Sequence, residues 1–412
     1  MKMKRRFALS LLSSAMALAG IAFGSTTASA HGERAQESFI RMETVGFWDT
    51  QFSKTTVQQG EDITLTGTIK ILETWPNNLS NGSPSVCYFT VVEPGAQFVL
   101  KDRVINGLQA PQSVFCHKGG TYQYSMTLAG RAAGTWHVHP AVAVEQSGTI
   151  IGPGTWITVN QAASGFSYPI TLLNGQKIDL ESYGTPLVVG FSLLTFLLGM
   201  WWMIHWTWSR PTITRLAVTN QLPLNQDGGD AVGLVTRRDH RISATIAGVT
   251  VVLVGAGFLW QAFAFPGKIP QQSDWVTPPA LAQPASTATA TLTNAIWDPA
   301  KQIMTLTAEV KNTGTTPVTL TAFRTAYLTF VSPTARQPES GEYQMTVSPA
   351  GTVDAGQTST FTIQLPGSVL QQEELVSVGK AQMAVAGVIE LQDAAGTRNM
   401  ATVQSSLNPT AT

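Results

Sequence analysis

The sequence predicts a mainly β protein with a transmembrane α-helical hairpin, in which two β-sandwich domains outside the membrane flank two transmembrane helices. Three features predict this class. Short alternating runs fill residues 31–182 and 290–412, two long apolar stretches lie between these blocks, and an arginine-rich loop separates the two stretches. Alternation of apolar and polar residues between Gly, Pro and Asn turns is typical of half-buried strands.

The composition favours a chain that is partly surrounded by lipid or by other protein chains. Charged residues make up 12% of the 412 residues, hydrophobic residues make up 43%, and the net charge is zero. Charged residues usually make up about 25% of a soluble protein. The sequence has no basic patch of the nucleic-acid-binding type, so nucleic acid is not an expected partner.

Residues 1–30 have the features of a cleaved signal peptide. Basic residues at positions 2, 4, 5 and 6 precede an apolar stretch at residues 7–23, and Ala28-Ser29-Ala30 fits a small-residue cleavage site. These residues are therefore not part of the predicted fold. His31 is the expected first residue of the mature chain.

The first β block, residues 31–182, is predicted to be one domain. Its predicted strands are residues 63–69, 88–92, 98–104, 122–128, 134–144 and 150–159. Short strands at this spacing predict a Greek-key sandwich or barrel. The block contains both cysteines of the chain, Cys87 and Cys116. An oxidising exterior permits them to pair, and two unpaired buried thiols are the alternative.

Two apolar stretches predict transmembrane helices over residues 186–208 and 242–265, because each is long enough to cross the hydrocarbon core. The loop between them, residues 209–241, carries five arginines. The positive-inside rule places this loop in the cytoplasm and both β blocks on the extracytoplasmic side of the cell membrane. His205 lies among tryptophans at the end of the first stretch and is interpreted as an interfacial anchor. His240 is interpreted as a solvated loop residue.

A linker rich in Pro, Ala and Thr covers residues 266–289, and the second β block covers residues 290–412. Its predicted strands are residues 290–296, 304–310, 318–330 and 359–365. No histidine or cysteine occurs after residue 240. Because a blue-copper centre needs both residue types, the second block is not expected to hold one.

The candidate metal ligands are His31, His137 and His139. Alternate side chains leave a strand on opposite faces, so His137 and His139 of the run Trp136-His137-Val138-His139 share one face, with Cα atoms roughly 6–7 Å apart. An N-terminal His31 adds an imidazole and an α-amine, whose free pKa of about 7.7–8.0 lets a metal displace its proton. His117 follows Cys116 next to a Gly turn and is interpreted as a solvated loop residue.

This nitrogen donor set suits copper, zinc or nickel. Copper heads the affinity order for such ligands, whereas zinc with three histidines and an open position would indicate a hydrolytic site. A zinc hydrolase also needs a carboxylate base, and the nearest in sequence are Glu33 and Glu145. The alternatives at this point are therefore an extracytoplasmic copper-handling membrane protein and a membrane-tethered zinc hydrolase. The mature chain lacks the Met-rich or His-rich tracts that would favour the former.

Three stretches resemble the B subunit of the copper membrane monooxygenases, the family of particulate methane, ammonia and short-alkane monooxygenases. They are HGERAQESFIRM at residues 31–42, GTWHVH at residues 134–139 and IGPGTWI at residues 151–157. The resemblance extends to the order of signal, β domain, two spans and second β domain. It implies cupredoxin-like folds for both outer domains. It also implies copper on His31, His137 and His139 and none in the second domain.

The resemblance further implies two integral-membrane partners, the A and C subunits, in a trimer of heterotrimers that receives electrons from quinol. Such a complex inserts one oxygen atom of dioxygen into methane, ammonia or a short alkane. Its catalytic centre is expected in a partner subunit, so no catalytic residue is assigned to this chain. Some members have a further histidine shortly after the N-terminus for an additional copper. The corresponding region here, residues 45–49, has none, so no additional site is predicted.

Overall fold

The computed structural model describes residues 36–76, 85–172, 175–206, 236–264, 275–281, 286–376 and 383–409. The chain divides into two compact units. One unit combines Met1–Phe166 with Ser273–Thr412 and holds both β domains, and the other, Ser167–Gln272, holds the apolar helices. The predicted signal peptide and His31 lie outside the described residues.

The first β domain is a two-sheet sandwich preceded by a short helix. Its elements are α1 (Ser38–Glu43), β1 (Val45–Phe52), β2 (Thr56–Gln58), β3 (Asp62–Ile71), β4 (Ser85–Val92), β5 (Phe98–Ile105), β6 (Leu108–Gln109), β7 (Val114–Cys116), β8 (Thr121–Gly130), β9 (Gly134–Val144), β10 (Gly148–Ile151) and β11 (Thr155–Asn160). One sheet has the order β1-β3-β8-β5-β6, and the other has the order β2-β11-β9-β4-β7 with β10 paired to β9.

The apolar side chains at alternating strand positions fill the core of this sandwich. Ile63 and Leu65 of β3 are fully buried and lie opposite Leu128 and Met126 of β8, which are also fully buried. Burial of each such side chain stabilises the fold by about 1.5–3 kcal/mol. These side chains form one core cluster with Val142 and Ile157 of the other sheet, so the two sheets pack through their inward faces, as a sandwich requires.

The predicted strand at residues 150–159 is wrong as a single strand, because the chain breaks it into β10 and β11 at Gly152-Pro153-Gly154. Proline lacks the N–H that a strand interior must donate, and glycine weakens a strand. Strand β10 pairs with Ala141–Val144 of β9, whereas β11 pairs with Gly134–Val138. The break therefore lies beside His139 and Pro140.

The second unit contains the short hairpin β12 (Pro169–Thr171) and β13 (Lys177–Asp179) and the helices α2 (Thr185–Ile204) and α3 (Arg237–Ala264). Both helices are long and apolar enough to cross a membrane, with a mean hydropathy of 2.1 over their most apolar windows. These windows are 0% and 6% buried, so the helices are apolar on faces that nothing in the unit covers. The predicted class, mainly β with two apolar helices of membrane-spanning length, is confirmed.

His205 has a partner that the sequence interpretation did not include. It is buried at the end of α2, and its Nε2 lies 3.0 Å from Oδ1 of Asp239 in the first turn of α3. Thr236 donates its backbone N–H and its hydroxyl to Oδ2 of the same carboxylate, each at 2.8 Å, which caps α3. His205 therefore ties the two helices together. His240 is exposed, as expected, but the prediction that it is a loop residue is wrong, because it lies near the start of α3.

The second β domain is a curled sheet around one core. Its elements are β14 (Ala288–Asp298), β15 (Ile303–Asn312), β16 (Val318–Thr325), β17 (Leu328–Val331), β18 (Tyr343–Gln344), β19 (Thr346–Ser348), β20 (Thr352–Val353), β21 (Thr358–Pro366), α4 (Gly367–Gln372), β22 (Met383–Asp393) and β23 (Arg398–Pro409). The strands follow the path β18-β17-β16-β22-β23-β14-β15-β21-β19, with β20 paired to β16. Strand β18 also contacts β21, which brings distant parts of this path together.

The predicted strand at residues 318–330 is also wrong, because it is the hairpin β16–β17. The turn passes through Ala326, whose φ is +53°, and Tyr327. An alanine in the left-handed region is uncommon and marks a tight turn that sequence alternation does not reveal. Ala326 accepts a backbone hydrogen bond of 2.9 Å from Phe47 of β1, so this turn lies against the first β domain.

Candidate metal centre

The histidine pair lies in the middle of the second sheet of the first domain. His137 and His139 are on β9, where His137 is opposite Trp156 of β11 and His139 is opposite Val92 of β4. Their exposed fractions are only 6% and 2%. Buried imidazoles need partners for both ring nitrogens, since an unpaired buried polar group costs free energy.

The two imidazoles face each other. Nε2 of His139 lies 2.9 Å from Nδ1 of His137, and Nδ1 of His139 lies 2.9 Å from the carbonyl oxygen of Gly152. A carbonyl oxygen only accepts, so Nδ1 of His139 carries the proton and Nε2 presents a lone pair. Nδ1–H of His137 therefore donates to this lone pair.

The two facing nitrogens could bind one metal ion. Two nitrogen ligands at about 2.0–2.1 Å from an ion lie about 2.9 Å apart when they subtend a right angle. The observed separation of 2.9 Å between the two nitrogens equals that value. His137 would transfer its proton from Nδ1 to Nε2 to bind. The carbonyl bond to His139 is the outer-shell partner that fixes the orientation and tautomer of a metal-binding histidine.

The break between β10 and β11 makes room for the pair. A Cβ on Gly154 would lie 2.4 Å from Cε1 of His139 and 2.8 Å from Cε1 of His137. Contacts that short do not occur, so position 154 must be glycine for both rings to keep their places. The sequence interpretation missed Gly152 and Gly154 as part of the site. The signal for them was a Gly-Pro-Gly inside a predicted strand.

Trp156 covers the pair on its outer side. Its ring centroid lies 4.7 Å from that of His137 with an angle of 32° between the planes, and the side chain is 52% exposed. An indole in this place shields His137 from water with its apolar ring. It offers no metal ligand, because its only polar atom is an N–H donor.

The chain that leads from His31 is anchored close to the pair. Gln36 donates from Nε2 to the carbonyl oxygen of Thr149 and accepts at Oε1 from the N–H of Ile151 at 3.0 Å. Ile151 directly precedes Gly152, which binds His139. Gln36 is five positions after His31, a length of chain that spans at most about 18 Å. His31 itself lies outside the described residues, and within them no group of three or more His, Cys, Asp or Glu residues converges.

The cysteines form no disulfide. Cys87 and Cys116 are buried free thiols on β4 and β7, where Cys87 is opposite Val114 and Cys116 is opposite Ser85. The two are thus diagonal neighbours on paired strands, and their thiols are within hydrogen-bonding distance of each other. Burial raises the pKa of the Cys116 thiol well above its ordinary value, so a metal-binding thiolate is disfavoured. Unpaired buried thiols are therefore the alternative that the structure supports.

Of the two carboxylates that the sequence suggested as a base, the one that the structure describes does not lie beside the histidine pair. Glu145 follows the end of β9 and is exposed, and Glu33 lies outside the described residues. A different carboxylate, Glu93, is partly buried at the end of β4. Burial raises the pKa of Glu93 to about 7, against the opposing effects of N–H bonds from Phe98 and Gln97. These two bonds give it a structural role in the turn. His117 is exposed, as expected.

Comparison with known proteins decides the family. The family model of the monooxygenase B-subunit proteins matches residues 32–411. The chain belongs to the monooxygenase B-subunit family. A curated relative, the particulate methane monooxygenase alpha subunit of Methylococcus capsulatus (strain Bath), is 29% identical over 411 residues, which cover 98% of this chain and 96% of that protein. The resemblance noted in the sequence is thereby confirmed.

Two solved structures are similar to parts of the chain. The cupredoxin domain of amoB from Nitrosocaldus yellowstonii has 16% identity and a TM-score of 0.23, with 28% of this chain and 87% of that domain covered. The periplasmic chaperone SfaE has 8% identity and a TM-score of 0.19, with 30% of this chain and 57% of that one covered. Likeness at this level carries no functional argument. Family membership makes the chain a subunit of a membrane monooxygenase, and hence part of a multi-subunit oxidoreductase.

Proposed function

We propose that this chain is a B-type subunit that binds copper through His31, His137 and His139 in a monooxygenase of the cell membrane. The observation that carries the proposal is the pair of buried imidazoles, whose nitrogens face each other at 2.9 Å with one tautomer fixed by Gly152. The anchored approach of the N-terminal segment at Gln36 supports His31 as the third histidine.

The residues around the pair support a metal more than any acid–base role. His139 keeps its Nδ1 proton on the Gly152 carbonyl, His137 gives up its Nδ1 proton on binding, and Trp156 keeps water from one side. The α-amine of His31 adds a nitrogen donor that also releases a proton. Among first-row metals, a set of imidazoles with an amine binds copper most tightly. Copper there would supply a redox-active centre or a structural tie for the N-terminus.

The substrate reaction would take place in partner subunits. The apolar faces of α2 and α3 are uncovered within their own unit, which suits contact with integral-membrane partners of the A and C types in a trimer of heterotrimers. The complex would oxidise methane, ammonia or a short alkane with dioxygen and quinol-derived electrons. Both β domains would lie on the periplasmic side, since the arginine-rich loop favours the cytoplasm. No residue of this chain is assigned to catalysis.

The test is metal binding by the full-length processed chain in detergent. We expect one tightly bound copper per chain in the wild type, and a loss in the His137→Ala/His139→Ala variant greater than the roughly 10–100-fold that an outer-shell change costs. His117→Ala is the matched control, because His117 is exposed in the same domain. Equal copper affinity in all three chains would overturn the proposal. A preference for zinc over copper would also overturn it.

A further inference from the structure

Strand β10 is a short edge strand next to the candidate metal centre. Among the strands that the structure describes, it pairs with β9 alone. It has four residues, and the Gly-Pro-Gly break follows it directly. An edge strand presents a row of backbone N–H and C=O groups to its open side, and short edge strands separate easily from the sheet. The position of Gly152, the residue after β10, therefore depends on what binds this open side.

The side-chain amide of Gln36 binds the open side of β10. Its Nε2 donates to the carbonyl oxygen of Thr149, and its Oε1 accepts from the N–H of Ile151 at 3.0 Å. In an antiparallel pair, alternate residues turn their backbone groups towards the partner strand. Gly152 donates its N–H to Pro140 of β9 at 2.8 Å, so Thr149 and Ile151, three and one residues earlier, present theirs away from β9. Gln36 thus makes the two hydrogen bonds that a further strand would make.

Gly152 is held on its other sides by β9 and by the core. Its N–H is bonded to Pro140, and a Cβ added to it would lie 2.5 Å from the ring of Phe47, which is buried in the core of the first domain. Glycine has a wide choice of backbone angles, so these contacts leave the chain on either side able to turn. Gln36 fixes the strand that leads into Gly152. It therefore completes the support of the Gly152 carbonyl from the third side.

The direction of this carbonyl determines which nitrogen of His139 carries the proton. The oxygen of Gly152 lies 2.9 Å from Nδ1 of His139 and only accepts, so it requires Nδ1–H and leaves a lone pair on Nε2. The bond between Nε2 and Nδ1 of His137 forms with either ring as the donor, so the carbonyl makes the choice. If the carbonyl turned away, the proton could move to Nε2. A proton on that nitrogen would oppose metal binding.

We propose that Gln36 is a positioning residue of the histidine pair, because its amide fixes β10 and thereby the tautomer and orientation of His139. The consequence for copper binding rests on the proposed function. Loss of an outer-shell partner usually weakens metal binding about 10–100-fold, and Gln36 acts one step further out than the Gly152 carbonyl. Gln36→Met keeps the length of the side chain and loses both hydrogen bonds. We expect it to weaken copper binding by about the lower limit of that range, tenfold.

The test compares Gln36→Met with Gln59→Met in the full-length processed chain in detergent. Gln59 is a matched control because its amide is also half-buried and bridges two backbone groups of the first domain. It donates to the carbonyl oxygen of Arg131 at 2.6 Å and accepts from the N–H of Ala162 at 3.4 Å. Both variants lose the same polar group, so a general loss of stability would be similar in both.

Two quantities are measured in each chain. The first is the copper dissociation constant. The second is the tautomer of His139 in the metal-free chain, read from nitrogen NMR spectra of isotopically labelled histidine at about pH 8, where free imidazole is neutral. The spectra distinguish a ring nitrogen that carries a proton from one that presents a lone pair. The tautomer is therefore observed without any metal.

We expect one His139 tautomer, protonated at Nδ1, in the wild type and in Gln59→Met, and a mixture of both tautomers with weaker copper binding in Gln36→Met. Equal effects of the two variants, or an unchanged tautomer in Gln36→Met, would overturn the inference while leaving the copper site intact. If Gln36→Met does not fold, hydrogen exchange at the Ile151 N–H of the wild type decides. Slow exchange is expected there, and exchange at the rate of a free peptide would overturn the inference. A wild-type chain that binds no copper would instead overturn the proposed function, and the tautomers would then test the inference alone.

Discussion

The two β domains treat buried polar groups in opposite ways. In the first, His137 and His139 turn their nitrogens towards each other and form a hydrogen bond. In the second, Arg324 and Glu390 are buried to a similar degree, and the guanidinium donates twice to one carboxylate oxygen, at 3.1 and 2.9 Å. Both pairs lie on the sheet face opposite the core, since Val138 and Phe323 beside them belong to the core clusters. One covered face keeps donor atoms suited to an added ion, and the other satisfies its own charges.

The largest expected effect comes from breaking the buried ion pair of Arg324 and Glu390. Arg324→Met leaves Glu390 buried with only Thr321 and the exposed Arg398 near its other oxygen. Removing one partner of a buried ion pair costs about 3–5 kcal/mol. We expect a loss of that size in the free energy of unfolding, measured by denaturant titration. The double variant Arg324→Met/Glu390→Leu should recover most of it. Surface substitutions usually change the free energy of unfolding by no more than about 0.5 kcal/mol. A change as small as that in Arg324→Met would contradict this prediction.

A smaller effect is expected from filling the space beside the histidines. The Cβ in Gly154→Ala would meet both rings at 2.4–2.8 Å, so both imidazoles must shift. Overpacking of this kind costs about 1–3 kcal/mol, and the displaced nitrogens should bind copper at least tenfold more weakly, as loss of an outer-shell partner does by about 10–100-fold.

Gly248→Ala is the matched control for that substitution. Gly248 lies within α3 with no atom inside 4 Å of its would-be Cβ. It should leave copper binding unchanged. Copper affinity in Gly154→Ala equal to that of the control would mean that the rings do not occupy the places described.

The smallest effect concerns pH. The Glu93 carboxyl has its pKa raised by burial from 4.5 to about 7, so the native state holds a proton that the unfolded chain releases. Stability is therefore full below pH 4.5 and is lost as pH rises through about 7. Because Glu93 is partly exposed, we expect a loss of only about 1 kcal/mol. Glu93→Gln keeps the accepting oxygen and should flatten this dependence, measured by thermal unfolding from pH 4 to 8. Glu145→Gln, which changes an exposed carboxylate, should not.

Sequence patterning predicted the parts of the fold that depend on local alternation. The strand at residues 134–144 coincides with β9, and its period of two correctly places His137 and His139 on one face. The same reasoning failed at two turns, Gly152-Pro153-Gly154 and Ala326-Tyr327. The first turn had a local signal in its Gly-Pro-Gly sequence, whereas the run around Ala326 continues to alternate, so that its turn is set by tertiary contacts. These are also the turns that contact the histidine pair and the N-terminal segment.

Partners far apart along the chain were beyond the reach of sequence patterning. His205 binds Asp239 and Arg41 binds Tyr327, across 34 and 286 residues. A histidine among tryptophans and an arginine after an apolar pair each have a sufficient local interpretation, which conceals the distant contact. The resemblance of the N-terminal and Trp-His-Val-His motifs supplied the family, which the family model confirms. The copper ligand set stays a prediction.

The central claim is that the first residue after the signal completes a copper site with the histidine pair. The direct measurement compares copper binding by the full-length chain beginning at His31 with the same chain retaining Ala30. Ala30 turns the α-amine of His31 into an amide and moves the free α-amine one residue away from the imidazole. We predict one tightly bound copper in the first chain and sharply weakened binding in the second, because an amide nitrogen is a far poorer ligand than an amine that can lose its proton. Equal binding by both chains would contradict the claim.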